Sequence, residues 1–409
     1  MRARYSPFIL LRWEQSRVGS SPIPGTKNKK GVCRVPKGPE CSLFIFGGPL
    51  YSKETAIFFY RRAGFTIYLS CRFTFTGEKS KGKVMNIPPV DGVRVAADEL
   101  GFLVAQIFQK VPIPVEHAEL IADLLIDTEL RGVVSHGVVQ VERYVRSYRE
   151  GKTNTHPKIQ VLREGPGSAA LSGDGGLGMI VSTRAMRLVI DKARELGVAA
   201  ATTTYHAHLG SSGKYVRMAL REDMIGISFS GRNAAPSYDQ NSTIRGSIQG
   251  SPPLAFGMPA GPEQPYFCLD LASHLQISDD HFAEMPEIFF KAIGLSHVAN
   301  IMSGTLGGQM LPQFNRDNIQ YTDANQSGFF MALDIERFAP LQDFKDDMDH
   351  LMGEVSQMRP YPGESESTLP GGRAWKKEKD YLQNGIPISA EAIGSLEMLA
   401  GEFALDVPW

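Results

Sequence analysis

Two histidines carry the most chemical promise in this chain. One lies in Ser135-His136-Gly137 and the other, some seventy residues later, in His208-Leu209-Gly210. An imidazole, with an ordinary pKa of about 6.5, exchanges protons freely near neutrality. Two of them on glycine-containing turns could form a proton-transfer site with room for a small ligand. A histidine picked at random catalyses nothing, so the surroundings must carry the argument. His206 and His208 stand at i, i+2 and would face the same way if both lay on a strand, which is how a metal pair would begin. There is no HExxH, no CxxC and no third ligand close in sequence, so no metal is expected. If the strand instead ends near residue 206, His208 sits on a glycine-lined turn at the mouth of a sheet, where open α/β folds bind small molecules.

Two further segments could hold a ligand. Gly173-Asp174-Gly175-Gly176-Leu177-Gly178 reads G-x-G-x-x-G between a strand and a helix, the setting of a dinucleotide fingerprint. The acid that would hold the ribose hydroxyls is missing, because the next strand ends Thr203-Thr204-Tyr205-His206. Lys291 heads an apolar helix that runs to Leu306. A lysine there is usually solvated, but its charge adds to the positive pole of a helix start and could hold phosphate or carboxylate.

The elements that must position these residues follow from periodicity. Val95, Leu100, Leu103, Val104, Ile107 and Phe108 are spaced as one helical face, broken by Pro112 and Pro114. A second helix is expected over 115–129, a connector over 131–136, and a third helix through Val138, Val141, Tyr144, Val145 and Tyr148 to about Gly151. Alternation of strand and helix then begins. Strands are expected over 168–172, 198–204, 225–229 and 266–271, with helices over 179–196 and 213–221. A strand-like run starts at Ala332, an amphipathic helix covers 344–358, a turn lies at 362–364, and a last helix starts near Ala390. This is an α/β core behind a helical front end.

Length and charge set further bounds. The 409 residues suffice for two or more domains. Residues 1–84 carry 16 Lys/Arg against Glu14, Glu40, Glu54 and Glu78, a balance of +12, while the remainder sums to −13. The basic stretch has no dense basic stripe and no aromatic interleaving, so no nucleic-acid partner is expected. It holds Cys33, Cys41 and Cys71 in no zinc spacing, and Cys268 is the single cysteine after it, which fits a reducing compartment. It reads as a disordered or spurious extension, with an import segment as the alternative. No run reaches 18 apolar residues, so no membrane span is expected.

Seven blocks in order carry a resemblance: Asp127-Thr-Glu-Leu-Arg-Gly-Val-Val-Ser-His-Gly-Val138 with Tyr144; His208-Leu-Gly-Ser-Ser-Gly-Lys-Tyr215; Gly250-Ser-Pro-Pro-Leu-Ala-Phe256; Asp270-Leu-Ala-Ser273; Lys291-Ala-Ile-Gly-Leu295; Asp334-Ile-Glu-Arg-Phe338; and Pro362-Gly-Glu364. Together, over residues 91–409, they resemble the type-2 malate/L-lactate dehydrogenase family, which also holds ureidoglycolate and sulfolactate dehydrogenases and diketogulonate reductase. The resemblance implies NAD- or NADP-dependent interconversion of a small 2-hydroxy acid and its 2-oxo acid by a homodimer, and the location expected is cytoplasmic. It implies an α/β cofactor domain of non-Rossmann type over 161–334, and a mostly helical domain from 85–160 plus 335–409. That fold displaces the dinucleotide reading of the glycine run. Residue by residue, His208 would be the acid/base and His136 would line the active site. Gln140 and Tyr144 would meet the substrate, and Asp270, Leu271, Ala272 and Lys291 the cofactor.

Three departures stand against the family pattern. Gln140 occupies a position that commonly holds arginine, suited to a two-pronged grip on carboxylate. Gly250-Ser-Pro-Pro253 replaces Gly-Thr-Asn-Pro, and the 271–290 segment is shorter by roughly thirty residues than the family pattern. Arg143, Arg146, Lys214 and Arg232 are cations that could stand in for the absent arginine, and spacing does not rank them. The alternative expectation is a pseudoenzyme that keeps the scaffold with little or no turnover.

Overall fold

Leu100, Leu103, Val104, Ile107 and Phe108 recur every three or four residues and are all buried on one face of α1, Ala97–Gln109. In α2, Val115–Glu129, the same spacing buries Ala118, Ile121, Ala122, Leu125 and Ile126. These helices join α3, Val141–Arg149, and the C-terminal α10, Ala390–Phe403, in one apolar core. A two-stranded ribbon of β4, Val93–Val95, and β12, Ile386–Ile388, closes it by pairing the two ends of this region.

The structure is a computed structural model that describes residues 41–46, 55–62, 65–72, 87–89, 92–232, 238–248, 250, 252–272, 279–308 and 320–409. The chain divides into two units, Met1–Lys83 and Val84–Trp409. In the first, β1 (Cys41–Phe46), β2 (Thr55–Arg62) and β3 (Phe65–Arg72) form an antiparallel sheet in that order. Cys33 and the rest of the basic stretch up to residue 84 lie outside the described residues.

The second unit is built on a seven-stranded sheet in the order β10-β9-β8-β11-β7-β6-β5. Its strands are β5 (Gln160–Gly165), β6 (Ser168–Ser172), β7 (Val198–His206), β8 (Met224–Arg232), β9 (Pro253–Met258), β10 (Phe267–Ala272) and β11 (Gln326–Asp334). Only β6 and β7 pair in parallel, so this is a mixed α/β sheet and not a doubly wound parallel one. They are joined by α4, Gly178–Leu196, which Gly197 ends at φ +88°. Alternation along β11 sends Phe330 and Ala332 to the α4 face. Phe329 packs on the other face with Ala299, which belongs to α7, Pro286–Asn300. A short α6, Asp279–Glu284, precedes α7. After β11 come α8, Leu341–Gln357, and α9, Gly372–Asn384.

Between β7 and β8 lies α5, Gly213–Leu220. Its buried Val216 and Ala219 lie against Gly226 of β8, which has no side chain to hold the helix away. This close seat fixes the start of α5 beside the end of β7, and the candidate site is assembled there.

Candidate active site

A carboxylate holds the turn that follows the first histidine. After α2 the chain makes two short 3₁₀ turns, Val134–His136 and Val138–Gln140. The buried Glu129 carboxylate accepts the Val138 N–H at 2.7 Å. A Cβ on Gly137 would land on that carboxylate, so the glycine of the Ser-His-Gly triplet is a packing requirement. Burial pushes the Glu129 carboxyl up to about 7, against the opposing effect of the Val138 hydrogen bond. Gln140 Nε2 donates to the Ser135 carbonyl at 2.8 Å, and Ser135 Oγ is hydrogen bonded to His136 Nδ1 at 2.8 Å.

The second histidine stands beyond the sheet. Tyr205 adopts a left-handed φ of +49° as β7 finishes, and β11 shifts register opposite this point. The strand ends at His206, so His208 lies in the following turn, with Gly210 at φ +81°. His206 is wholly buried and spends both ring nitrogens on protein: Nδ1 donates to the Ala207 carbonyl at 2.8 Å, which leaves Nε2 to accept from Thr203 Oγ1 at 2.9 Å. The i, i+2 pair therefore does not converge as a metal site would require.

His208 meets His136 with ring centroids 5.6 Å apart, and Tyr144 Oη lies 2.6 Å from His208 Nδ1. Tyr144 is 2% exposed, and burial lifts its phenol well above the ordinary range, so it stays neutral. Burial, then Lys214 and Arg143, lower His136 to about 4. Burial also takes His208 well below 6.5, helped by His136, Arg143 and Lys214. Both rings are neutral at pH 7. With Nδ1 taken by Tyr144, His208 Nε2 is the ring nitrogen without a protein partner among the described residues.

A third group of residues comes from α5 and the sheet edge. Asp270 on β10 accepts the Gly213 N–H at 2.8 Å, at the first residue of α5. On either side of that glycine, Ser212 Oγ and Lys214 Nζ are buried with no hydrogen-bond partner among the described residues. Burial would raise the Asp127 carboxyl at the end of α2, but Arg217, Arg131 and Arg221 hold it well below the usual range. That cluster ties α2 to α5 and so holds the two histidine turns in register.

His136, His208, Tyr144 and Gln140 thus come together, and Asp270 reaches the same α5 terminus with Leu271 and Ala272 next to it on the edge strand. Lys291 does not join them. Its side chain is 76% exposed and 3.8 Å from Glu287. Its helix begins at Pro286, five residues earlier than the reading from apolar spacing, so Lys291 lies a full turn inside and away from the positive pole. The glycine run is likewise occupied by protein. A Cβ at Gly178 would lie 2.6 Å from His206 Nδ1, and one at Gly176 would lie 2.6 Å from Pro157, so these glycines let the chain pack on itself. Glu129 and the Asp127 cluster escaped sequence reasoning, since no spacing sets one acid apart from its neighbours in a helix.

The malate/L-lactate dehydrogenase profile matches residues 95–276 and 282–397. The chain belongs to this family. The match breaks between residues 276 and 282, inside the segment that falls short of the family pattern. Among relatives, the malate dehydrogenase of Pyrococcus abyssi is 32% identical over 347 residues, covering 75% of this chain and 94% of that protein. The L-sulfolactate dehydrogenase of Methanocaldococcus jannaschii is 25% identical over 336 residues, covering 75% and 96%. In three dimensions, the malate dehydrogenase of Pyrococcus horikoshii OT3 superposes with a TM-score of 0.67 at 30% identity, covering 78% of this chain and 98% of that one. Gln140, which donates to the Ser135 carbonyl, also accepts from the exposed Arg143 through Oε1 at 3.3 Å.

Proposed function

We propose that the protein is a nicotinamide-nucleotide-dependent dehydrogenase of small 2-hydroxy acids, with His208 as its acid/base. The contact that carries the reading is the 2.6 Å pairing of Tyr144 Oη with His208 Nδ1, which leaves Nε2 to face the substrate. In the oxidative direction the substrate hydroxyl gives its proton to Nε2, while Nδ1–H donates to the Tyr144 oxygen. The imidazolium so formed keeps that second hydrogen bond, and in the reverse direction it returns the proton to the carbonyl oxygen. A base so placed contributes about 10²–10⁴ in rate. His136, partly exposed and 5.6 Å from His208 between ring centroids, lines the same pocket as a neutral hydrogen-bonding group.

The residues fit a nicotinamide nucleotide, NAD or NADP, at the edge of the sheet. Asp270 is anchored by the Gly213 N–H, Leu271 and Ala272 are partly open beside it, and the buried Ser212 hydroxyl has no protein partner. When bound, the nucleotide would supply the hydride acceptor or donor. Dicarboxylic and sulfonated 2-hydroxy acids are the first substrates to test, a choice supported by relatives named malate and L-sulfolactate dehydrogenases. A homodimer in the cytoplasm completes the proposal. It is supported by a run of large apolar side chains left exposed along α6, α7 and the turn after it, among them Phe282, Phe290, Leu295, Ile301 and Leu306.

The test is a matrix of oxaloacetate, sulfopyruvate and pyruvate against NADH and NADPH, followed by absorbance at fixed protein concentration. Turnover of at least one pair is expected. No turnover of any pair, together with no nucleotide binding, would contradict the proposal.

A further inference from the structure

We infer that Lys214 is the cation that grips the substrate carboxylate, in place of the arginine that Gln140 displaces. The inference rests on the 2-hydroxy-acid reading above and names the residue that recognises the acid. Three buried cations stand out among the described residues: Arg131, Arg217 and Lys214. Arg131 is bound to Asp127 and Glu378, and Arg217 to Asp127. Lys214 is 1% exposed, and its Nζ has no hydrogen-bond partner among the described residues. An ammonium so enclosed gains nothing from water, so a buried anion is the partner its surroundings lack.

Its direction fits that partner. Side chains on a helix lean toward the N-terminus, and Lys214, second residue of α5, folds back over Gly210, four residues earlier. A Cβ at Gly210 would collide with Nζ, so the glycine after His208 keeps this path open. The lysine's charge acts on both His136 and His208. Arg143, the other cation that acts on both, is exposed and held on Gln140.

The two carboxylates whose charge reaches Lys214 hold other hydrogen-bond partners. From α2, Asp127 is taken by Arg131, Arg217 and Arg221; from β10, Asp270 is taken by the Gly213 N–H. Arg217, on its own helix, adds repulsion, and His136 and His208 are neutral. Burial lowers Lys214 to about 7, with Asp127 and Asp270 opposing and Arg217 assisting. A carboxylate arriving beside Nζ binds the ammonium form, so above that value the site takes up a proton from solvent as the anion enters. Affinity for a carboxylate that does not itself titrate therefore falls about tenfold per pH unit once the free lysine is neutral.

The experiment titrates oxalate, a non-reacting analogue of the 2-oxo acid, into wild type, Lys214→Met and Lys214→Arg, with and without NADH, between pH 6 and 8.5. Lys214→Met should weaken oxalate at least about tenfold, the loss expected for one charge-assisted hydrogen bond. It should leave NADH affinity within about twofold of wild type, since Asp270 to Ala272 hold the nucleotide. Lys214→Arg should retain oxalate binding with the pH dependence gone, because a guanidinium does not titrate in this range. Equal oxalate affinity in wild type and Lys214→Met, no oxalate binding by wild type, or a loss confined to NADH would overturn the inference. If Lys214→Met does not fold, the wild-type profile decides, and a flat affinity from pH 6 to 8.5 overturns it. Lys214-dependent oxalate binding in a protein that reduces no 2-oxo acid and binds no nucleotide would uphold this inference and refute the dehydrogenase reading.

Discussion

Tyr144 sets which nitrogen of His208 can do chemistry, because its hydroxyl occupies Nδ1 at 2.6 Å from inside the helical core. Tyr144→Phe should lower kcat by about three- to tenfold, the worth of one neutral hydrogen bond, with little change in nucleotide affinity measured by fluorescence. The pH profile of hydroxy-acid oxidation has a determined sign. Protonation of His208 removes the base, and its pKa lies well below 6.5, so the limb that His208 contributes to kcat/KM should fall on the acid side. Loss of the Lys214 charge near 7 adds an alkaline limb, which Lys214→Arg should remove while the acid limb stays. Of this site, His136, His208, Tyr144 and Gln140 were legible because their blocks are chemically distinctive and lie in a fixed order. Lys214 was legible only as one of four cations: sequence does not show which of them loses contact with water. Glu129 was not singled out at all, since its role depends on a fold that brings Val138 back over the end of α2.

At the scale of elements, the turn that bears His136 is held by one contact that sequence cannot display. Gly137→Ala puts a methyl group against the Glu129 carboxylate, which cannot withdraw without breaking its bond to Val138 N–H. Overpacking of this kind costs about 1–3 kcal/mol, so Tm should drop by several degrees in calorimetry, with kcat/KM falling as the turn is displaced. An unchanged Tm and unchanged activity would contradict this account of the turn. The helices α1, α2 and α4 were readable because each buries an unbroken apolar face. Strand β5 was not, since it is an edge strand with most residues exposed and no alternation to see. In α9, only Gly372 and Tyr381 are buried, too few for a helical period. The glycine run misled for a physical reason: close packing of protein on protein selects glycine as strongly as close approach of a phosphate does.

For the whole molecule, the boundary between Lys83 and Val84 coincides with the change in charge and precedes the family match, which starts at residue 95. A chain beginning at Met85 should therefore unfold at the same temperature as the full chain, within about 2 °C, with the same kcat/KM. A large loss of stability would show that the basic stretch supports the second unit. The apolar row along α6 and α7 leads to a second expectation, a dimer in light scattering at micromolar protein. A monomer that is fully active would remove the row from the functional account.

The acid/base role of His208 stands or falls on a comparison of wild type with His208→Ala, on whichever 2-oxo acid and nucleotide pair wild type turns over. The variant should show a kcat at least about a hundredfold lower, with nucleotide affinity unchanged, because the lost group acts on the reacting proton. A His208→Ala protein that keeps wild-type kcat would contradict it and pass the acid/base role to His136.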